Sequence, residues 1–182
     1  MTKALFSADN AEQINALSVQ ALCEALSAQL EPLCKEQAPV LVGIHRGGFH
    51  IAEWLHRTLG FSEPLGALDI SWHRDDLKAS SVSPHVKPTT LPVDIDGREV
   101  LLVDDVLHTG RTIRAAMNEL FDYGRPAGVK LAVLGQRAGQ ELPIQPDFVA
   151  AQLALPEQQA IKLTAAAELP IEQWQLSCVE KQ

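Results

Sequence analysis

The sequence predicts an α/β architecture, a mainly parallel twisted sheet flanked by helices, on three observations. Short apolar runs that read as buried strands alternate with stretches whose apolar residues recur at helical spacing. Two of the runs pass through a glycine-containing turn into the next helix. The central run, Val100-Leu101-Leu102-Val103, ends in adjacent carboxylates, Asp104 and Asp105, and the carboxyl ends of strands are where open parallel sheets bind ligands. Strands alternating with helices favour parallel pairing with both faces covered. With 182 residues, 46% hydrophobic and 21% charged, the chain suits a single domain over residues 1–182.

The first residues lack the apolar core of a signal peptide and no later run approaches membrane-spanning length, so a cytoplasmic protein with no membrane partner is expected. Cys23, Cys34 and Cys178 form neither a CxxC pair nor an even set, which points to a reducing compartment. A formal charge of -8 opposes nonspecific attraction to nucleic acid or anionic lipid.

A helix is predicted from Asp9, with Glu12 completing a capping pair, Val19, Leu22, Cys23, Leu26 and Leu30 on its buried face, and Pro32 and Pro39 bracketing its exit. Val40–Ile44 reads as a buried strand, His45-Arg46-Gly47-Gly48 as its turn, and Ile51, Trp54, Leu55 and Leu59 as the inner face of a helix stopped by Gly60. That turn is either a plain connection or a loop whose glycines admit a ligand and whose Arg46 faces a diphosphate. His45, His50 and His56 lack the spacing and the cysteines of a zinc site. Leu65–Ser71 is the next strand. The Ser/Thr/Pro-rich stretch that follows lacks periodicity and predicts a loop or flexible hairpin over about 73–92, either solvated or a lid carrying Arg74, Lys78 and Lys87.

The central motif continues from Asp104-Asp105 through Val106-Leu107-His108-Thr109-Gly110-Arg111-Thr112 into a helix marked by Ile113, Ala116, Met117, Leu120 and Phe121 and ended by Gly124 and Pro126. An acidic pair alone could be a metal site or a cap. Followed by Thr109 to Thr112, whose backbone N–H groups can gather at a helix N-terminus, it describes a diol-binding carboxylate pair beside a phosphate cup. A 5-phosphorylated ribose satisfies both. Val129–Leu134 is a further strand and residues 135–147 a polar hood over the ligand edge; Ala160–Leu163 and Trp174–Val179, in the tail 151–182, are edge strands or a closing hairpin.

The central stretch resembles the phosphoribosyl-diphosphate motif of type I phosphoribosyltransferases. With Asp69–Leu77, Leu91–Ile95, Gly124-Arg125-Pro126 and Glu141-Leu142-Pro143-Ile144 in order, the chain is more narrowly similar to the pyrimidine operon attenuation regulators that double as uracil phosphoribosyltransferases. The resemblance implies that Asp104 and Asp105 bind the ribose hydroxyls and, through water, a magnesium ion chelated by the sugar diphosphate, and that His108, Thr109, Gly110, Arg111 and Thr112 hold the 5-phosphate. His45, Arg46 and Gly47 match the pyrophosphate loop. Arg74, Asp75, Asp76 and Lys78 match the root of the flexible loop. Gln136, Arg137 and Ile144 match the hood over a pyrimidine base, with Arg137 also among the catalytic residues. A homodimer or higher homo-oligomer is implied as well.

The implied reaction transfers phosphoribosyl to uracil, giving UMP and pyrophosphate. Departures temper the regulatory half. Family members usually carry Asp at Gln136, a basic residue at Gln140 and often Arg at Gln145, and residues 10–31 contain no Lys or Arg. RNA is therefore a partner that the charge disfavours. Purine-using relatives place Asp where this chain has His108. The alternatives are an RNA-binding attenuation regulator with weak or no catalysis, and a divergent phosphoribosyltransferase for another base.

Overall fold

The computed structural model describes residues 4–70, 89–166 and 168–181. The candidates Arg74, Asp75, Asp76 and Lys78, with Lys87, lie outside the described residues, as does most of the loop expected over 73–92. The elements are β1 (Phe6–Ala8), α1 (Ala11–Asn15), α2 (Val19–Gln37), β2 (Val40–Ile44), α3 (Gly47–Leu59), β3 (Gly66–Leu68), β4 (Glu99–Leu107), α4 (Arg111–Asp122), β5 (Gly128–Arg137), β6 (Phe148–Leu153), β7 (Gln159–Thr164) and β8 (Gln175–Glu180). Six strands form one sheet in the order β1-β6-β5-β4-β2-β3, every neighbouring pair parallel. The hairpin β7-β8 is a separate antiparallel pair, so the closing-hairpin alternative is the one realised.

Alternation along β4 explains why its sequence is apolar throughout. Leu101 and Val103 join one core with residues of α2, α3 and the tail, while Val100 and Leu102 join a second core with Ile113, Ala116 and Leu120 of α4. A strand covered on both faces has no polar side to display. Its carboxyl end is the first place where acids are tolerated.

The N-terminal helix departs from expectation in three ways. Asn10, not Asp9, is the cap, accepting from the Gln13 N–H at 2.9 Å. The helix then breaks before Ser18, which caps α2 by accepting from Ala21 N–H at 3.2 Å. The tail occupies the break: Asn15 Oδ1 accepts from Cys178 N–H at 3.0 Å, and Ser18 bridges Gln175. Pro32 does not end α2 but lies inside it. Its ring removes one N–H, yet Leu33 and Cys34 beyond it pack on the core, and that burial outweighs the lost bond.

Two strand boundaries also differ, and two strands were not expected. β3 is shorter than Leu65–Ser71, and residues 89 and 90 of the expected loop are held beside it by paired backbone bonds between Ala67 and Thr90 at 2.8 Å. β5 runs on to Arg137, so Gln136 and Arg137 are strand residues, not hood loop. β1 and β6 were not among the expected strands: β1 is a three-residue edge strand, and β6 lies inside the sheet between β1 and β5, directly after the polar stretch 135–147.

Candidate active site

The carboxyl ends of β4 and β5, the start of α4 and the tail enclose a cleft of about 740 Å³, within the usual range for a ligand site. It brings together Asp104, His108, Thr109, Gly110, Arg111, Thr112 and Arg137, all anticipated from sequence, with Gly139, Glu141, Leu155, Glu157 and Lys181. Asp105, His45, Arg46, Gly47, Gln136 and Ile144 are not part of its lining. The tail residues carried no readable signal, because nothing in their own segment marks a site. Only the fold delivers them.

The two carboxylates are shaped by their own backbone. Asp104 is buried, and its Oδ1 accepts from the Asp105 N–H at 2.9 Å; Asp105 Oδ1 accepts from the Val106 N–H at 2.8 Å. Asp105 is partly exposed as a residue, yet loss of solvent around its carboxyl group raises its pKa above the ordinary carboxylate range, against the lowering effect of the Val106 N–H and of Asp104. Gly47 lies against that carboxyl group: a Cβ there would overlap Asp105 Oδ2, and one on Gly48 would overlap the Val103 carbonyl oxygen. The loop at 45–48 and the acidic pair, far apart in sequence, are thus one packed unit. His45 packs against Phe49 with ring centroids 4.6 Å apart and the planes tilted by 33°, and the His45–Arg46 peptide is cis.

The phosphate-cup candidates form the lead-in to α4. Gly110 takes φ +90°, a conformation that favours glycine. Gly110 at the N-cap has no side chain to cap α4, Thr109 Oγ1 accepts only the Arg111 N–H, at 3.3 Å, and the first turn holds no acid, so the helix start keeps positive partial charge for an anion. The hood clips onto this turn: Glu141 and Leu142 N–H both donate to the Thr109 carbonyl, at 3.0 and 3.1 Å, and Arg111 pairs with Glu141 at 2.6 Å. His108 sits against Gly139, where a Cβ would fall 3.0 Å from its Nε2. Burial first, then the charges of Arg137 and Lys181, lower the His108 pKa and favour the neutral ring, with Glu141 and Glu157 opposing.

Arg137 is 3% exposed and, among the described residues, pairs with no carboxylate. Its Nη1 donates to the Gln159 carbonyl at 2.6 Å, and Nη2 to those of Leu155 and Pro156 at 3.2 and 2.7 Å. Its Nε is the buried side-chain polar atom left without a partner among the described residues. Gln136 points elsewhere, donating to Gln145 Oε1 at 2.7 Å and accepting from Gln152 at 3.0 Å. Two departures from the resembled family are therefore one contact, a neutral amide pair where an Asp–Arg pair is expected. Gln136→Asp and Gln145→Arg together are expected to stabilise the protein relative to the sum of the single changes, by about 0.5 kcal/mol in a double-mutant cycle followed by denaturant unfolding.

Among the described residues no group of three or more His, Cys, Asp or Glu could hold a metal ion. The acidic pair fits magnesium only as a partial donor set, with substrate oxygens and water completing the shell. No helix among the described residues is long and apolar enough to cross a membrane.

A parallel sheet ending in an acidic pair, an uncapped helix start and a hood is the arrangement of a phosphoribosyltransferase. Residues 10–159 match the family described as phosphoribosyl transferase domain, and the chain belongs to that family. Within it, the chain is 52% identical over 141 residues to the Bifunctional protein PyrR of Pseudomonas aeruginosa strain LESB58, covering 78% of this chain and 83% of that one. It is 47% identical over 160 residues to the Bifunctional protein PyrR of Nitrosococcus oceani, covering 85% and 90%. In fold it is similar to a purine phosphoribosyltransferase from Pyrococcus horikoshii, with a TM-score of 0.55 and 25% identity over 76% of this chain and 87% of that one. A hypoxanthine phosphoribosyltransferase from Staphylococcus aureus gives 0.59 and 20%, over 78% and 76%, a likeness of fold alone. The chain is a pentosyltransferase of the type I class.

Proposed function

We propose that the protein transfers the phosphoribosyl group of phosphoribosyl diphosphate to uracil, forming UMP and releasing pyrophosphate. The observation that carries this reading is the convergence of Asp104 and the His108–Thr112 turn on one cleft under the hood. In this reading Asp104 and Asp105 accept hydrogen bonds from the ribose hydroxyls, and the start of α4 holds the 5-phosphate. Residues 45 to 47 face the pyrophosphate, and Arg137 lies at the base end. Magnesium, bound with the diphosphate and reached by the carboxylates through water, would neutralise charge on the leaving group. The chain's own contribution is to fix the sugar, exclude water and stabilise charge as the ribosyl cation forms, so positioning and electrostatics supply the rate. The neutral imidazole of His108, where purine-using relatives place an acid, favours a pyrimidine.

The relatives' name marks a second function, and the resemblance makes it binding of leader RNA. The described surface favours catalysis over that role: Lys35, Arg98, Arg111 and Lys130 are each paired with a carboxylate, and residues 10–31 supply no cation. Those pairs and the net charge of -8 weaken the electrostatic attraction to an RNA backbone. The test pairs a UMP synthesis assay on uracil, cytosine and hypoxanthine, with phosphoribosyl diphosphate and magnesium, with filter binding of the protein's own pyrimidine-gene leader at two salt concentrations. Turnover of uracil with only micromolar RNA affinity is the expected result. Nanomolar, sequence-dependent RNA binding without turnover of uracil reverses the ranking.

A further inference from the structure

Resting on the reading of the cleft as a phosphoribosyl diphosphate site, we infer that Lys181, delivered by the C-terminal hairpin, is a substrate-contacting residue whose ammonium supplies unpaired positive charge to the phosphates. Charge accounting within the cleft leads to it. The lining holds three cations, Arg111, Arg137 and Lys181, and three acids, Asp104, Glu141 and Glu157. Arg111 is tied to Glu141 at 2.6 Å, so the cation nearest the α4 start is already neutralised. Arg137 is buried and its terminal nitrogens serve backbone carbonyls. Lys181 is exposed, and no ion pair holds its ammonium among the described residues. A flexible, solvated cation on the wall of a cleft suits a phosphate, which a lysine meets as a point charge.

The placement is built and not a loose end. The Lys181 N–H donates to the Gln158 carbonyl at 2.7 Å, the next link of the segment that Arg137 grips through Leu155, Pro156 and Gln159. On the other side the hairpin is fixed by Trp174 and Leu176, 5% and 2% exposed in the core. Arg137 is therefore the strut that positions the tail, and it is itself a lining residue of the cleft. That Lys181 acts electrostatically on His108, the first residue of the phosphate turn, agrees with this geometry.

The experiment is calorimetric titration of the full chain with magnesium phosphoribosyl diphosphate at low and high salt. Lys181→Ala is expected to raise Kd about fivefold at low salt, the scale of one solvent-facing charge contact, and to flatten the salt dependence. Lys181→Glu should raise Kd further, Lys181→Arg should stay near wild type, and Glu157→Gln should lower Kd, the opposite sign on the same rim. All four variants change exposed side chains, at two positions, so unfolding midpoints should not move. Wild-type binding with Lys181→Ala and Lys181→Glu both within twofold of it overturns this inference alone. A wild-type protein that does not bind phosphoribosyl diphosphate overturns the underlying reading and this one with it.

Discussion

Gly48→Ala is expected to destabilise the protein by about 3 kcal/mol, the upper end of the usual cost of overpacking, whereas Gly47→Ala should leave stability nearly intact and weaken sugar-diphosphate binding by about tenfold to a hundredfold. The two positions are neighbours at the start of α3 and differ only in what a methyl group would meet. At Gly48 it meets backbone, the Val103 carbonyl oxygen and Asp104 Cα, the latter at 2.7 Å. β4 cannot recede, because β2 and β5 pair with it on either side. The whole of α3 must then withdraw and open the core beneath Ile51 and Leu55, which are fully buried. At Gly47 the methyl group meets the Asp105 carboxyl, with Cγ 2.6 Å away, and a side chain can rotate. The rotation gives up the bond from Val106 N–H and turns one of the two candidate ribose ligands away. Denaturant unfolding and calorimetric titration on the same preparations separate the cases. Equal loss of stability in both variants would show that Gly47 is also held by backbone, and binding retained by Gly47→Ala would remove Asp105 from the sugar site.

This pair also shows how far the sequence carries. The acidic pair, the Thr109–Thr112 turn and most of the alternation of strands and helices are local patterns, each with a period or spacing that survives without a partner, and they were legible, β1 and β6 excepted. The contact of Gly47 with Asp105 is not local, although both residues were separately legible. The same limit accounts for Arg137. Its place at the end of a strand is hidden because Gly135-Gln136-Arg137 reads as the polar start of a loop, and its grip on the tail depends on carbonyls of Leu155, Pro156 and Gln159, which no side-chain pattern reveals. The break between α1 and α2 is likewise set from outside, by a hairpin whose Cys178, 163 residues along the chain, bonds Asn15. Pro32 erred in the other direction: a residue that stops most helices is overridden where burial continues past it.

Asp105→Asn should raise the unfolding temperature of the free protein at pH 7 while weakening binding of phosphoribosyl diphosphate. The stability half follows from the direction of the carboxyl pKa, raised by burial. An acid whose folded pKa exceeds its unfolded value, about 3.9 for aspartate, binds its proton more tightly in the native state. Stability is then greatest at low pH and declines as pH rises through the window from the unfolded to the folded pKa. Above that window the native state keeps a charged carboxylate in poor solvation, and a neutral amide of the same shape relieves it. The binding half follows from the same carboxylate: charged acceptors hold hydroxyl donors with about 1.5–3 kcal/mol, so Kd should rise about tenfold to a hundredfold. A site that costs stability in the empty protein and returns it on binding is one built for a ligand. Thermal unfolding of wild type and Asp105→Asn from pH 4 to 8, with and without magnesium phosphoribosyl diphosphate, measures both halves. The wild-type curve should fall relative to the variant as pH rises, and ligand should close the gap. If the variant is less stable at pH 7, the Val106 N–H and Asp104 contacts outweigh desolvation, and the carboxylate is a structural cap of the β4 end.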